Sequence, residues 1–460
     1  MRSVERSAVS SGITVGEARA VVAGWVRAQA AADPAFRGAF LTGSATDLPS
    51  AAPLPRSSDV DLTVLVATSS TAAVDRPISG VATGPTAAAA SGRRSGKRLV
   101  DGVLVDVSYL EERALADPAW VATSFVYAPS FRGGQVLADP TGHLARLEAA
   151  IAPSFAAPAA VRARTADVHR RIRARLTALD PDAPWAELVL QWLFPTSLTA
   201  VARLVAALRM PTVRQRYLRA RAVTPPAEYE RLLALLGCAD ATRSLVAQHL
   251  DAVAERFDEA AAVLTATGPA GPACAATHSH PSSAEATHAP PEPADRPAAP
   301  EAPRLVDRGP MAAPAAAVSH SPAGRVPTDG AEFSASAPPE RGRADRPSAP
   351  AGGGPRLPFA ADLTPAARPV AIDGSRELVD GGNHREAVFW VVATAARCQA
   401  ALNVLAPALA AEREQAFRAL VADLTGLRSP TDVLTRRDAL LADLAPPPPA
   451  GTSLRTPGAA

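Results

Sequence analysis

The chain has almost no lysine and little cysteine, and both shortages narrow what it can be. Lys97 is the only lysine among 460 residues, so nearly all of the basic charge is arginine. The three cysteines, Cys238, Cys274 and Cys398, lie far apart without a Cys-x-x-Cys spacing, which predicts free thiols and neither a zinc site nor a disulfide framework. The formal net charge of +2 gives no global reason to expect a nucleic-acid partner.

Long hydrophobic runs are also absent. The first residues, MRSVERSAVSSG, place charge and serine where an export signal needs an unbroken apolar core. The longest apolar run, Ala387 to Ala396, is too short to span a bilayer and predicts a helix buried in a protein core. We therefore expect a cytoplasmic protein without a membrane partner.

The spacing of apolar residues predicts an α+β fold. Short strand-like runs near Asp59–Val66 and Leu99–Leu110, the latter with Asp101-Gly102 as a hairpin turn, predict a small mixed-sheet domain over residues 1–150 with a helix behind the sheet. Residues 151–266 and 358–445 have helical periodicity and predict two parts of one helical domain that pack together. The Pro/Ala-rich segment 267–357 and the tail 446–460 bury too little apolar surface to become ordered, which predicts disorder.

Three aspartates and a Gly-Ser pair form the pattern that indicates chemistry. Asp59 and Asp61 are two residues apart at the head of an apolar strand, so both side chains project from the same face. Asp106 alternates with valines on a strand that can lie beside the first. Oxygen ligands of this kind favour Mg²⁺, with Mn²⁺ as the alternative. Upstream, Gly43-Ser44 ends a strand and offers backbone amides and a hydroxyl to a phosphate.

In this order, Gly43-Ser44, Asp59-Val60-Asp61 and Asp106 resemble the signature of the polymerase-beta-type nucleotidyltransferase superfamily. The likeness is greatest to bacterial members with a helical second domain, such as the aminoglycoside and lincosamide nucleotidyltransferases, and it covers about the first 110 residues. The resemblance implies that the three aspartates bind metal, that Asp106 is the candidate base, and that Gly43-Ser44 holds nucleotide phosphates. The sequence departs from the pattern at the proline-rich positions 45–58, where we expect a short helix or a loop.

Other polar residues have a structural explanation beside the functional one. Lys97 is a candidate nucleotide-binding residue, although a charged residue before a strand is usually just solvated. His384 and Arg385 are candidate substrate-binding residues, whereas helix capping by Asn383 and Glu386 explains the same cluster structurally. The basic segment TVRQRYLRARAV fits an amphipathic helix whose arginines face solvent.

Together these features lead us to expect an ATP- or other NTP-dependent nucleotidyltransferase. It would transfer a nucleoside monophosphate to a hydroxyl of a small-molecule acceptor, bound between the sheet and the helices, and release pyrophosphate. The competing hypotheses are nucleotidylation of a protein acceptor and a toxin-antitoxin-type regulatory module that binds nucleotide and a partner. A loosely spaced pair, Arg376 and His384, would suit an RNA-cleaving variant of that module.

Overall fold

Alternating apolar residues build a five-stranded mixed sheet in the N-terminal part of the chain. The computed structural model describes residues 12–55, 58–67, 95–267 and 359–444. The sheet has the strand order β3-β4-β2-β1-β5, with β2 and β4 parallel and the other neighbours antiparallel. The strands are β1 (Phe36–Thr42), β2 (Val60–Val66), β3 (Gly96–Val100), β4 (Val103–Glu111) and β5 (Val136–Ala138).

The Asp101-Gly102 pair makes the tight turn between β3 and β4, as the sequence predicts. Both residues have positive φ, 44° and 81°, which is the backbone of a two-residue hairpin turn and suits Asp-Gly. Val100 pairs with Val103 directly across the turn. The turn therefore fixes the register of the whole hairpin.

Helices cover both faces of the sheet. Helix α1 (Val15–Ala32) starts with a Thr14–Glu17 capping box and packs Ala18, Val22 and Val26 on one face. The opposite face packs against α2 (Pro118–Thr123), the 3-10 turn Ala128–Phe131 and α3 (His143–Ile151) through Phe40, Leu65 and Leu110. Asp61 and Asp106 have the same strand parity as Leu65 and Leu110, so they belong to this second face.

Most of the remaining helices form one apolar core around a central helix. This central helix, α10 (His384–Leu405), packs against α5 (Trp185–Ala206), α8 (Arg243–Thr267) and α11 (Pro407–Thr425), and every residue from Glu386 to Leu402 is buried. Thus the prediction that Ala387 to Ala396 form a buried core helix is confirmed. The helices are α4 (Pro158–Thr177), α5 (Trp185–Ala206), α6 (Arg216–Arg221), α7 (Pro226–Leu236), α8 (Arg243–Thr267), α9 (Gly374–Asp380), α10 (His384–Leu405), α11 (Pro407–Thr425) and α12 (Pro430–Asp443).

The helices on either side of the Pro/Ala-rich segment share that core, and the predicted α+β class is confirmed. Side chains such as Trp192 and Leu233 pack in one cluster with Phe389 and Phe417. The sheet and the helices belong to one compact unit, and the predicted domain boundary at residue 150 falls in the last turn of α3. The segment and the tail for which we predicted disorder lie outside the described residues.

Two helices in the described part of the chain, α5 and α10, are long and apolar enough to cross a membrane by length and composition. Their most apolar windows are 78% and 83% buried inside the protein, respectively. Both therefore have the surroundings of core helices.

Candidate metal centre and cavity

Strand register places the candidate site residues in one row across the sheet. Thr42 of β1 pairs with Asp61 of β2, Asp61 pairs with Asp106 of β4, and Asp106 pairs with Lys97 of β3. Asp59 precedes β2 by one residue and is buried. One carboxylate oxygen from each of the three aspartates lies within 4.8 Å of the others, so the cluster could hold a metal ion.

Two cations already contact these carboxylates. The Lys97 ammonium donates to Asp59 Oδ2 at 2.6 Å and to Asp106 Oδ2 at 2.5 Å, while Arg214 donates to Asp59 Oδ1 at 2.5 Å. The Lys97 side chain is only 6% exposed, so its charge is held beside the carboxylates instead of being solvated. The simple solvation that we considered for Lys97 is therefore wrong.

Burial and these neighbours move the carboxyl pKa values in opposite directions. Burial alone would raise the pKa of Asp59, but Arg214 and Lys97 outweigh it and hold the pKa well below its usual range. Asp61 has no such contact among the described residues, and burial and the negative charges of Asp59 and Asp106 outweigh Lys97 and Arg214 and raise its pKa to about 8. Burial also raises the pKa of Asp106, against the lowering effect of Lys97. Ionising Asp61 is therefore costly unless a further positive charge comes close to it.

Gly43 is the residue that lets the Asp61 carboxylate come so close to the backbone. Its φ of 67° and ψ of −164° belong to a region that only glycine adopts readily. A Cβ placed on Gly43 would lie 1.7 Å from Asp61 Oδ2. Ser44 then begins the 3-10 helix Ser44–Thr46. The described part of positions 45–58 therefore contains only a single short helix, as expected.

A cavity of about 270 Å³ opens over the cluster. Its sheet side carries Gly43, Ser44, Lys97 and the three aspartates. Its helical side combines four arginines with apolar side chains, among them Phe194, Leu198, Leu378 and Trp390. The cavity thus joins a polar acidic wall to a wall that is both cationic and apolar.

The sequence analysis missed the arginines on the helical side of the cavity, among them Arg214 in the connection between α5 and α6 and Arg216 at the start of α6. We predicted that the arginines of TVRQRYLRARAV face solvent, and this is wrong for Arg214 and Arg216. Arg214 contacts Asp59, and Arg216 is 4% exposed, with its guanidinium 4.6 Å from the centre of the Phe389 ring. No local motif marks these residues, because their burial depends on helices distant in sequence.

The structure does not bring His384 and Arg385 to this cavity, whose lining includes neither. Arg385 donates to Glu230 at 2.8 Å and to the Ala239 carbonyl, which is a contact between helices. The alternative capping explanation is also wrong in detail. Asn383 is the N-cap residue without a side-chain capping bond, and Glu386 accepts hydrogen bonds from Arg221 and Tyr229 instead.

Arg376, the other half of the RNA-cleaving pair considered above, donates to Asp251 of α8 at 2.8 Å.

A scan of protein-family models and a search of curated proteins found no match to this chain.

Proposed function

We propose that the protein is a cytoplasmic, metal-dependent nucleotidyltransferase that transfers a nucleoside monophosphate from an NTP to a hydroxyl of a small-molecule acceptor. The observation that carries this proposal is the convergence of Asp59, Asp61 and Asp106 beside Gly43-Ser44 at the floor of a cavity. The same five residues carry the sequence resemblance to the polymerase-beta-type superfamily.

The donor set fits Mg²⁺ or Mn²⁺. All three candidate ligands are carboxylates, which are hard oxygen donors, and among the described residues no histidine or cysteine joins them in the cluster. Asp59, Asp61 and Asp106 would hold the ion, which when bound neutralises negative charge on the reacting phosphates. The raised pKa of Asp61 supports this, because a carboxyl group that is costly to ionise alone gains most from a cation.

In the proposed reaction the acceptor oxygen forms a bond to the α-phosphorus of the NTP, and the bond from that phosphorus to pyrophosphate breaks. Asp106 is the candidate that accepts the hydroxyl proton, since its side chain is 29% exposed and lines the cavity. Gly43 and Ser44 would hold phosphate oxygens through the amides and hydroxyl at the start of the 3-10 turn. The apolar helical side of the cavity suits the body of a small acceptor.

The direct test is isothermal titration of the four NTPs, as non-hydrolysable analogues with Mg²⁺, against the wild-type protein and an Asp59→Asn, Asp61→Asn double variant. We expect Mg²⁺-dependent binding that the double variant loses. Asp101→Asn is the matched control, because Asp101 lies in the hairpin turn and asparagine tolerates its positive φ. Metal-independent binding, or equal binding to the double variant, would contradict the proposed site.

The second candidate is a regulatory module. It would bind nucleotide and a partner without transferring a nucleoside monophosphate. The observation that favours it is that Lys97 and Arg214 already compensate Asp59, so this carboxylate is stabilised without a metal. Nucleotide turnover by the isolated protein, measured as pyrophosphate release with an acceptor library, would exclude this candidate. Nucleotidylation of a protein acceptor would be detected with an NTP labelled at the α-phosphate, as label transferred to a protein.

A further inference from the structure

The two walls of the cavity carry opposite charges. The sheet wall has three aspartates and one lysine, whereas the helical wall has Arg175, Arg214, Arg216 and Arg397 with a single acid, Asp362. Arg214 is paired with Asp59, and Arg397 is paired with Asp362 at 3.1 Å. Among the described residues, neither Arg175 nor Arg216 has a carboxylate partner. The helical wall therefore has more positive charge than its own acids compensate.

Two of these arginines, Arg216 and Arg397, are held on an aromatic platform. The Arg397 guanidinium lies 5.0 Å from the centre of the Trp390 ring and 5.1 Å from that of Phe194, while Arg216 lies 4.6 Å from that of Phe389. The Phe194 and Phe389 rings meet edge to face at 5.6 Å. Stacking of this kind fixes the guanidinium planes and reduces the entropy lost when they bind a ligand.

The arginines are also close enough to repel one another. Burial lowers the pKa of Arg216 to about 10, and the positive charges of Arg175 and Arg397 act in the same direction. Buried charge of one sign is costly unless a partner compensates it. A ligand that brings negative charge to this wall would remove that cost.

We propose that Arg175, Arg216 and Arg397 form an anion subsite that receives a phosphate or carboxylate group of a ligand bound in the cavity. The proposal deepens the proposed function and rests on it only in assuming that the cavity is the ligand site. It also bears on the acceptor: a polycation of the aminoglycoside type would meet like charge on this wall, whereas an apolar acceptor with an anionic group would be matched.

The test is isothermal titration calorimetry of inorganic phosphate into the metal-free protein, which measures the affinity for phosphate. Wild type should bind phosphate, and Arg175→Gln should bind it about tenfold more weakly because one charge-assisted contact is lost. Arg175→Lys should keep most of the affinity. The control is Arg162→Gln, an exposed arginine on the same helix that does not line the cavity. Circular dichroism checks each fold, and Arg397→Gln repeats the test at a second member of the subsite.

A competition experiment distinguishes the two possible sources of the anion, the NTP and the acceptor. If a non-hydrolysable ATP analogue with Mg²⁺ displaces phosphate, the subsite serves the triphosphate; if phosphate binds alongside it, the subsite serves the acceptor. Both results support the subsite. No phosphate binding by wild type, or equal binding by Arg175→Gln, would overturn it. Because the titration needs neither metal nor transfer, its failure is separate from failure of the proposed function.

Discussion

Replacing Lys97 with methionine tests whether its ammonium occupies the position that a metal ion would take. The ammonium lies 2.6 Å from Asp59 and 2.5 Å from Asp106, between two of the three candidate ligands. A divalent ion bound to the same oxygens must displace it. Methionine keeps the length of the side chain and removes the charge, so it removes the competitor with little change of volume.

The expected magnitudes follow from these contacts. Removing one partner of a buried ion pair costs about 3–5 kcal/mol of folding stability, and Arg214 still compensates Asp59, so we expect about 3 kcal/mol for metal-free Lys97→Met. Metal binding should become tighter by at least about tenfold, or about 1.4 kcal/mol, because no ammonium has to be displaced. The variant should therefore be less stable than wild type without metal and gain more stability from it.

The assay is Mn²⁺ titration followed by the electron paramagnetic resonance signal of the free ion, with thermal unfolding in EDTA and in MnCl2. Arg98→Met is the matched control, since Arg98 is the next residue on β3 and stacks on Trp25 of α1, away from the cluster. The control should leave Mn²⁺ affinity unchanged. If Lys97→Met binds Mn²⁺ no more tightly than wild type, then Lys97 does not compete for the metal position and the reasoning fails.

Four further predictions concern the carboxylate cluster and a buried contact between helices. Gly43→Ala should lower stability by about 1–3 kcal/mol and weaken Mn²⁺ binding, because its Cβ would displace the Asp61 carboxylate. Gly382 also has a positive φ, but a Cβ there would lie in open space, so Gly382→Ala should destabilise the protein without changing its Mn²⁺ affinity. Equal Mn²⁺ affinity of Gly43→Ala and Gly382→Ala would contradict the clash between a Cβ at Gly43 and Asp61. Metal affinity should rise as the pH is raised towards about 8, because Asp61 must lose its proton to bind the ion. Calorimetry of metal binding in two buffers should show that a proton is released. A metal affinity that does not change with pH would contradict this. Over the same range the metal-free protein should lose stability, since the pKa of Asp61 in the folded state exceeds its ordinary value of 3.8. Glu386→Ala should lower the free energy of unfolding by about 1–3 kcal/mol, because it leaves the buried Tyr229 hydroxyl unpaired. A double-mutant cycle with Tyr229→Phe should show that the two substitutions are energetically coupled. Additive effects would refute the contact.

The three aspartates could be predicted because strand periodicity is local. Asp59 and Asp61 share a face by spacing alone, and Asp106 alternates with valines. The contact of Lys97 with Asp106 could also have been derived. The Asp101-Gly102 turn pairs Val100 with Val103, and counting back three residues along each strand places Lys97 opposite Asp106. The turn is predicted from the sequence, and the Lys97–Asp106 pairing follows from it.

The helical side of the site could not be predicted in this way. Arg214 and Asp59 are 155 residues apart, and their contact depends on how α5 and α10 pack, which no local pattern encodes. The segment around Arg214 and Arg216 has the composition of a solvated helix, and only tertiary packing buries it. Conversely, the local sequence around His384 predicted a substrate-binding cluster, but the packing of the helices pairs Arg385 with Glu230.

The α5–α6 connection explains why the two walls of the cavity act together. Asp47, in the loop after β1, accepts a hydrogen bond from the Met210 backbone at 3.0 Å and pairs with Arg132, which anchors the connection to the sheet. Four residues later Arg214 contacts Asp59. The helical part thus supplies a counter-charge to the carboxylate cluster as well as the cationic wall opposite it. The proposed metal-bound phosphate ester, with a cation at its sheet end and negative charge at its helical end, would match the charges of both walls.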